Sequence, residues 1–323
     1  MTSHPRLPTI ALTTGDPAGI GPEISLRAAA DPRVRSALRL VLIGPRALRP
    51  ATIAPAATEA LADGPSVQWI DSAAPERWEM GRVQRECGAA ALAALRTGHT
   101  LAFTRQVQAL VTAPVSKEAL HLAGERVEGQ TELLGRWCAV ERFEMLAIAG
   151  RLRVMLLTRH MPLRQALAAV RTERVLDRLR LLHESLRRFG FAHPRLALAG
   201  LNPHAGEGGV LGTEDGELLA PAVQLARKED IDVHGPLPPD TVFLQASRGD
   251  FDGVLALYHD QAFIPIKLLS QEGGVTVIAG LPYLRVSPVH GTAFDIAGQG
   301  KASPDNLIAA LLQAAEWARG RPE

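Results

Sequence analysis

Short apolar runs alternate along the chain with stretches of helical spacing. Residues 8–14, 38–43, 67–70, 109–113, 195–199, 232–234, 253–257 and 275–279 read as buried strands. Residues 144–148 and 152–158 read as a strand pair. Helical patterns cover 22–30, 81–96, 116–123, 162–170, 172–189, 216–229 and 304–318. Pro22 sits in a first helical turn, Gly190 stops a helix and Ser303 caps one. Residues 50–66 are a weakly patterned Ala/Pro/Thr stretch. The β-α alternation predicts an α/β protein with mainly parallel strands. No Pro/Ser-rich spacer divides the chain at its midpoint. A chain that crosses more than once between two lobes, with a site in the cleft, gives that picture.

Three of these runs end in a histidine. Leu196-Ala197-Leu198-Ala199-Gly200 leads into Leu201-Asn202-Pro203-His204-Ala205-Gly206-Glu207-Gly208-Gly209. His160 follows the apolar run that ends at Leu157, and His259 follows Val254-Leu255-Ala256-Leu257-Tyr258. In open α/β sheets, ligands bind outside the carboxyl ends of the strands. Three strand-end imidazoles suit a divalent-metal site with open positions. The alternative for each one alone is a hydrogen-bonded loop histidine. Asp260, beside His259, could orient it or bind the ion directly. Asp240, after Gly235-Pro236-Leu237-Pro238-Pro239, is a second candidate carboxylate, or else a helix cap. His290, before Gly291-Thr292, is the other histidine in a loop of interest.

Composition narrows the classes. The chain has 323 residues, enough for one large domain or two. With 35 Lys+Arg against 34 Asp+Glu, the formal charge is +1, which does not indicate a nucleic-acid surface. No apolar run approaches the ~20 residues of a membrane span, and residues 1–8 lack a signal-peptide core. Two lone cysteines, Cys87 and Cys138, form no disulfide framework and fit a reducing cytoplasm.

Anion-binding candidates follow. The turn Thr13-Thr14-Gly15-Asp16-Pro17-Ala18-Gly19-Ile20-Gly21-Pro22-Glu23 could aim backbone N–H groups at an anion, or could be structural. Lys117 and Lys267 sit near strand-to-helix junctions, and Arg285 lies in a largely apolar segment. A cation buried in an apolar run is costly unless paired. Lys267 and Arg285 are therefore expected to contact a phosphate or carboxylate, with a surface salt bridge as the alternative.

The motifs Thr14-Gly15-Asp16-Pro17-Ala18-Gly19-Ile20-Gly21-Pro22-Glu23, Ala113-Pro114-Val115-Ser116-Lys117, Leu201-Asn202-Pro203-His204-Ala205-Gly206-Glu207, Tyr258-His259-Asp260-Gln261 and His290-Gly291-Thr292-Ala293 resemble those of the 4-hydroxythreonine-4-phosphate dehydrogenase family. The resemblance runs from about Thr9 to Ala318. It implies two α/β/α lobes like those of isocitrate and isopropylmalate dehydrogenases, residues 1–125 with 285–323 and residues 126–284. It implies a homodimer with active sites in the interlobe cleft at the subunit interface. His160 and His204 would be metal ligands from one subunit and His259 from the other. Gln130, Thr131, Lys267, Thr276 and Arg285 would bind substrate, and Lys267, Asp260 and Asp240 would form the catalytic set. The implied cofactors are NAD or NADP and one zinc, magnesium or cobalt ion. The implied reaction oxidises C3 of 4-phosphooxy-L-threonine and releases carbon dioxide, giving 3-amino-2-oxopropyl phosphate for pyridoxal phosphate synthesis.

Four positions depart from the family pattern. Gln130 stands where histidine is usual, Thr276 where asparagine is, Val289 where aspartate is, and Arg159 where a small hydroxyl residue is common. Gln130 donates a hydrogen bond but carries no charge. The expected alternatives are the same chemistry on another 3-hydroxy acid, such as a four-carbon sugar-acid phosphate, and a three-histidine metal lyase without nicotinamide.

Overall fold

The computed structural model describes residues 7–58, 61, 65–73, 75, 77–270 and 273–320. The extreme amino terminus and part of the 50–66 stretch lie outside them. In chain order the elements are β1 (Thr9–Thr13), α1 (Gly21–Ala30), α2 (Pro32–Ala37), β2 (Arg39–Pro45), β3 (Ala54–Pro55), β4 (Val67–Ser72), α3 (Arg85–Phe103), β5 (Ala109–Thr112), α4 (Lys117–Leu122) and α5 (Gln130–Trp137). Next come β6 (Glu144–Ala149), β7 (Leu152–Leu156), α6 (Leu163–Ala168), α7 (Thr172–Arg188), β8 (Leu196–Ala199), α8 (Ala220–Arg227) and β9 (Val233–Leu237). The last are α9 (Val242–Arg248), β10 (Gly253–Ala256), α10 (His259–Leu269), β11 (Gly274–Ala279), β12 (Leu284–Pro288) and α11 (Asp305–Arg319).

These elements form two compact units. The first is built on Met1–Glu141 and Leu281–Arg319, the second on Arg142–Gly280. Residues 126–141, with α5, therefore pack in the first unit, so Gln130 and Thr131 share a unit with Arg285. Among the described residues no helix is long and apolar enough to cross a membrane.

The strands of the first unit run β3-β4-β2-β1-β5-β12, and every pairing is parallel. Strands β1, β2 and β5 are almost wholly apolar and buried, as expected for a sheet covered by helices. Helix α3 comes very close to this sheet at Gly98. A Cβ there would lie 2.7 Å from a Leu110 methyl and 3.1 Å from a Thr13 methyl. Helix α11 packs on β12 and β5, and touches α1 and α2.

The strands of the second unit run β11-β6-β7-β10-β8-β9. Strands β7, β10, β8 and β9 are mutually parallel, while β6 is antiparallel to both β7 and β11. The strand pair expected at 144–158 is the β6–β7 hairpin, so this sheet is mixed. Alternate side chains build the core: Ala147, Val154, Val254 and Ala197 lie opposite one another across β6, β7, β10 and β8. Val242, Phe243 and Ala246 of α9 and Ala262 and Ile266 of α10 cover that band. The predicted helix at 216–229 opens with a π-helical turn, Asp215–Leu219, before α8.

Candidate active site

The strand order brings the three histidine loops side by side. Strand β10 lies between β7 and β8, parallel to both. His160 follows β7, His259 opens α10 directly after β10, and His204 follows β8. Neighbouring strands are about 4.8 Å apart, so the three histidine loops leave adjacent carboxyl ends of one sheet.

Two of the rings meet within the chain. The His160 and His259 centroids are 5.2 Å apart with planes tilted by 43°. His259 stacks on Phe263 one turn further along α10, with centroids 4.6 Å apart. Its Nδ1 lies 2.7 Å from Oδ1 of Asp260. The Asp260 carboxylate is largely exposed, and a carboxylate on one ring nitrogen leaves the other for a ligand. Imidazoles on one ion at about 2.1 Å per bond have centroids about 5 Å apart. The pair and its orienting carboxylate therefore fit a divalent cation. Among the described residues of one chain, no group of three His, Cys, Asp or Glu side chains is arranged to hold a metal.

His204 is exposed on a strained loop. His204, Ala205, Gly206, Glu207 and Gly208 all have positive φ, between 44° and 80°. A non-glycine residue in this region costs roughly 1–2 kcal/mol, so surrounding bonds must hold the turn. Asp215, 2% exposed, supplies them. Its Oδ1 accepts from Leu201 N–H at 2.8 Å and its Oδ2 from Asn202 N–H at 3.0 Å. The Asn202 amide donates to Glu214 at 2.8 Å.

The loop before His160 is also braced. Arg174 donates to the Leu157 carbonyl at 3.0 Å, and Thr158 Oγ1 donates to the Leu257 carbonyl at 2.8 Å. The Arg159 guanidinium meets the buried Glu144 carboxylate at 3.1 Å and lies 5.5 Å over the Phe143 ring. Burial pushes the Glu144 carboxyl above its ordinary value, against the lowering pull of Arg159, Arg178 and Arg174.

The other sequence candidates separate by unit. Lys267, Thr276 and Asp240 belong to the second unit. Lys267 is exposed on α10, about 12 Å along the axis from His259. The expectation that it is a cation buried in an apolar run does not hold. That run is a helix whose Ile264, Leu268 and Leu269 are themselves exposed. Thr276 is buried on β11 opposite Ala147. Asp240 is exposed in the turn before α9; the residue at the cap is Thr241, and no side chain caps that helix.

Arg285, in the first unit, does match the buried-cation expectation. It is 4% exposed on β12. One guanidinium nitrogen donates to Thr112 Oγ1 at 2.7 Å and to Gln130 Oε1 at 3.3 Å, and Nε has no hydrogen-bond partner. Burial lowers its pKa to about 10. The Gln130 amide is engaged at both ends, since its Nε2 donates to the Ala113 carbonyl at 3.2 Å. Gln130 thus braces Arg285, where the sequence suggested a direct contact to substrate. Thr131 is buried beside it in the first turn of α5.

The glycine-rich turn at 13–23 is tied down by bonds within the chain. Asp16, wholly buried, turns back to accept from Ala18 N–H at 2.9 Å. The N–H groups of Asp16, Gly19 and Ile20 reach Pro114, Asp16 and Thr292 carbonyls. Gly15, at φ +77°, faces the Pro114 carbonyl so closely that a Cβ would lie 2.3 Å from it. Burial raises the Asp16 carboxyl above its usual value. His290, in the same unit, lies 3.1 Å from the Gly291 carbonyl.

Sequence reasoning assigned no part to Asp215, Glu144, Thr158 or Gln261. Only Gln261 left a signal, its place two residues after His259.

Comparison with known proteins gives a consistent picture. The family model described as "Pyridoxal phosphate biosynthetic protein PdxA" matches residues 29–314. The D-threonate 4-phosphate dehydrogenase of Salmonella typhimurium is 43% identical over 324 residues, 96% of this chain and 99% of that protein. The 4-hydroxythreonine-4-phosphate dehydrogenase of Geobacter metallireducens is 42% identical over 325 residues, 97% and 96% of the two chains. Among solved structures, a 4-hydroxythreonine-4-phosphate dehydrogenase from Klebsiella pneumoniae superposes with a TM-score of 0.88 at 38% identity, covering 96% of this chain and 99% of its own.

Proposed function

Since the chain belongs to the pyridoxal phosphate biosynthetic protein PdxA family, we propose that it is a dehydrogenase acting with NAD or NADP and a divalent metal. Its substrate is 4-phosphooxy-L-threonine. The carrying observation is the set of three histidines at the ends of three adjacent parallel strands, two with rings 5.2 Å apart. His160, His204 and His259 would hold zinc, magnesium or cobalt. When bound, the ion supplies Lewis acidity that lowers the pKa of the C3 hydroxyl and stabilises charge on the adjacent oxygen.

The reaction balances with the nicotinamide as the only oxidant. A bound nicotinamide would supply the hydride acceptor for the C3 hydrogen, and Asp240 is the proposed carboxylate that takes the hydroxyl proton. The resulting 2-amino-3-oxo-4-phosphooxybutanoate loses carbon dioxide, and a proton taken up at C2 gives 3-amino-2-oxopropyl phosphate. Asp260 orients His259. Lys267 and Arg285 hold the phosphate and carboxylate, Gln130 steadies Arg285, and Thr131 and Thr276 are the smaller polar contacts. Lys267 would also stabilise charge at the reacting carbons.

We also propose a homodimer with shared sites. Apolar side chains are exposed beside each histidine: Met161, Leu163 and Leu167 near His160, Val210 and Leu211 near His204, and Ile264 and Leu268 beyond His259. Such surface is characteristic of an interface. Complementation identifies the ring that crosses over. If it is His259, a His160→Ala protein mixed with a His259→Ala protein regains activity. If His160 and His259 serve one ion and His204 crosses, His160→Ala with His204→Ala does so instead.

A second reading, oxidation of D-threonate 4-phosphate, is supported by the Salmonella relative. The two substrates differ at C2, an ammonium against a hydroxyl. Absorbance at 340 nm with each substrate, with and without chelator, tests both readings. NAD(P)H should form with one of them and stop with chelator. No signal with either substrate refutes the dehydrogenase reading and leaves a nicotinamide-independent metal lyase.

A further inference from the structure

One buried carboxylate closes the His204 loop on itself. The loop leaves β8 at Gly200 and ends at Asp215, the first residue of the π-helical turn that runs into α8. That turn is anchored. Leu219 is fully buried, and Thr172 Oγ1 at the start of α7 donates to the Leu218 carbonyl at 2.9 Å. From this fixed point Asp215 reaches back to accept from the N–H groups of Leu201 and Asn202. The entry and exit of the loop are thus held together two residues before His204. Inside the loop, the Ala205 N–H donates to the Asn202 carbonyl and the Leu211 N–H to the Gly206 carbonyl, both at 3.1 Å. His204, Ala205 and Glu207 sit at φ 53°, 54° and 44°. This is left-handed backbone, which is unfavourable for residues with a Cβ. A loop released at its base would leave that conformation, and the His204 imidazole would move with it.

We propose that Asp215 is a positioning residue: its carboxylate keeps the turn around His204 left-handed and so presents that imidazole to the cation. This rests on the metal reading of His204. It concerns one ring alone, so it holds whichever subunit supplies the other ligands. The chemistry calls for a carboxylate. A buried charge is tolerated where hydrogen-bond donors meet it, and here each oxygen meets its own N–H group. Asparagine keeps the shape but turns an N–H toward one of those N–H groups. The backbone strain also predicts a rescue. Glycine populates positive φ about as readily as negative φ, so Ala205→Gly lets the turn keep its form with less help from Asp215. Partners that orient ligands without touching the metal typically change metal affinity by about 10–100-fold.

The test uses the full-length protein stripped of metal with chelator and titrated with Co(II), followed by visible absorption. The chains compared are wild type, His204→Ala, Asp215→Asn, Ala205→Gly and the Asp215→Asn/Ala205→Gly double variant. Asp215→Asn should bind Co(II) about 10–100-fold more weakly while still unfolding cooperatively. Ala205→Gly alone should match wild type, and in the Asp215→Asn background it should recover part of the lost affinity. If Asp215→Asn fails to fold, Asp215→Glu carries the test. It keeps both acceptors, displaces them by one methylene and should weaken Co(II) binding in the same direction. An Asp215 variant with a lower Tm but wild-type Co(II) affinity would mean that the carboxylate only supports the fold, and would overturn the proposal. A loss of affinity that Ala205→Gly leaves untouched would overturn it too, because the left-handed turn would then not be what Asp215 protects. Wild-type affinity in His204→Ala would instead overturn the metal reading itself, a separate outcome.

Discussion

Replacing Arg285 with methionine should make the protein more stable and a much poorer enzyme. The guanidinium is buried on β12 and donates to two neutral oxygens, and the Glu132 carboxylate favours its charge less than burial disfavours it. Burial lowers its pKa to about 10, well below the usual guanidinium value. At 1.36 kcal/mol per unit, holding the charge in the folded state costs about 3 kcal/mol. The sign is that of a base with a depressed folded pKa. The penalty is complete at neutral pH and fades only as the pH rises through about 10 toward the ordinary guanidinium value. Methionine removes the charge and fills similar space. Thr112 Oγ1 and Gln130 Oε1 then lose a donor, which costs about 1–2 kcal/mol. The net gain is about 1–2 kcal/mol, or roughly 2–8 °C in Tm. An anion that neutralises the guanidinium would remove the penalty in wild type, so inorganic phosphate should raise the Tm of wild type and not that of the variant. Loss of a charge-assisted contact worth ~1.5–3 kcal/mol should lower kcat/KM by about 10–150-fold. Thermal unfolding with and without phosphate, beside steady-state kinetics, reads both effects. An Arg285→Met protein that is less stable than wild type and has unchanged kcat/KM would refute the reasoning.

Other outcomes follow from the same geometry. His204→Ala should lose bound metal and turnover with its fold intact, and wild-type metal content would remove His204 from the ligand set. Lys267→Ala should raise KM by about 10-fold or more with little change in Tm, because the side chain is exposed; an unchanged KM would take it out of the site. Asp16 has a raised folded pKa caused by burial. Its contribution to stability is therefore complete below its unfolded value and lost as the pH rises through the folded one. Asp16→Asn should gain on wild type across that rise in urea unfolding, and a pH-independent difference would contradict it. Glu144→Gln leaves Arg159 without its anion and should loosen the segment before His160, read as faster amide exchange at 158–161; unchanged exchange would rule this out.

Much of this arrangement was legible in the sequence, for identifiable reasons. Runs such as Leu196–Ala199 and Gly253–Ala256 are wholly apolar because both faces of the sheet are covered. Their ends were therefore visible, and the histidines with them. The adjacency of β7, β10 and β8 was not, because strand order depends on pairings between segments distant in sequence. Helix α10 was hidden by Pro265 in its interior and by apolar residues that face outward. The same apolar run made Lys267 look buried. Arg285 is buried as its apolar segment predicts, because that segment is a buried strand. Nothing local to Gln130 shows that Ala113 and Arg285 engage its amide. Gln261 and Asp215 escaped notice because their partners are backbone groups, which leave no trace in side-chain patterns.

The central claim is that the imidazoles of His160, His204 and His259 hold one ion. A crystal of the full chain grown with Co(II), with data collected at the cobalt absorption edge, tests it directly. The account requires a single anomalous peak per site within bonding reach, about 2.0–2.3 Å, of a nitrogen from each of the three rings, whichever subunit supplies them. A peak bound elsewhere, or rings that stay more than about 10 Å apart in the assembled protein when a bond to one ion needs only about 2 Å each, would contradict it.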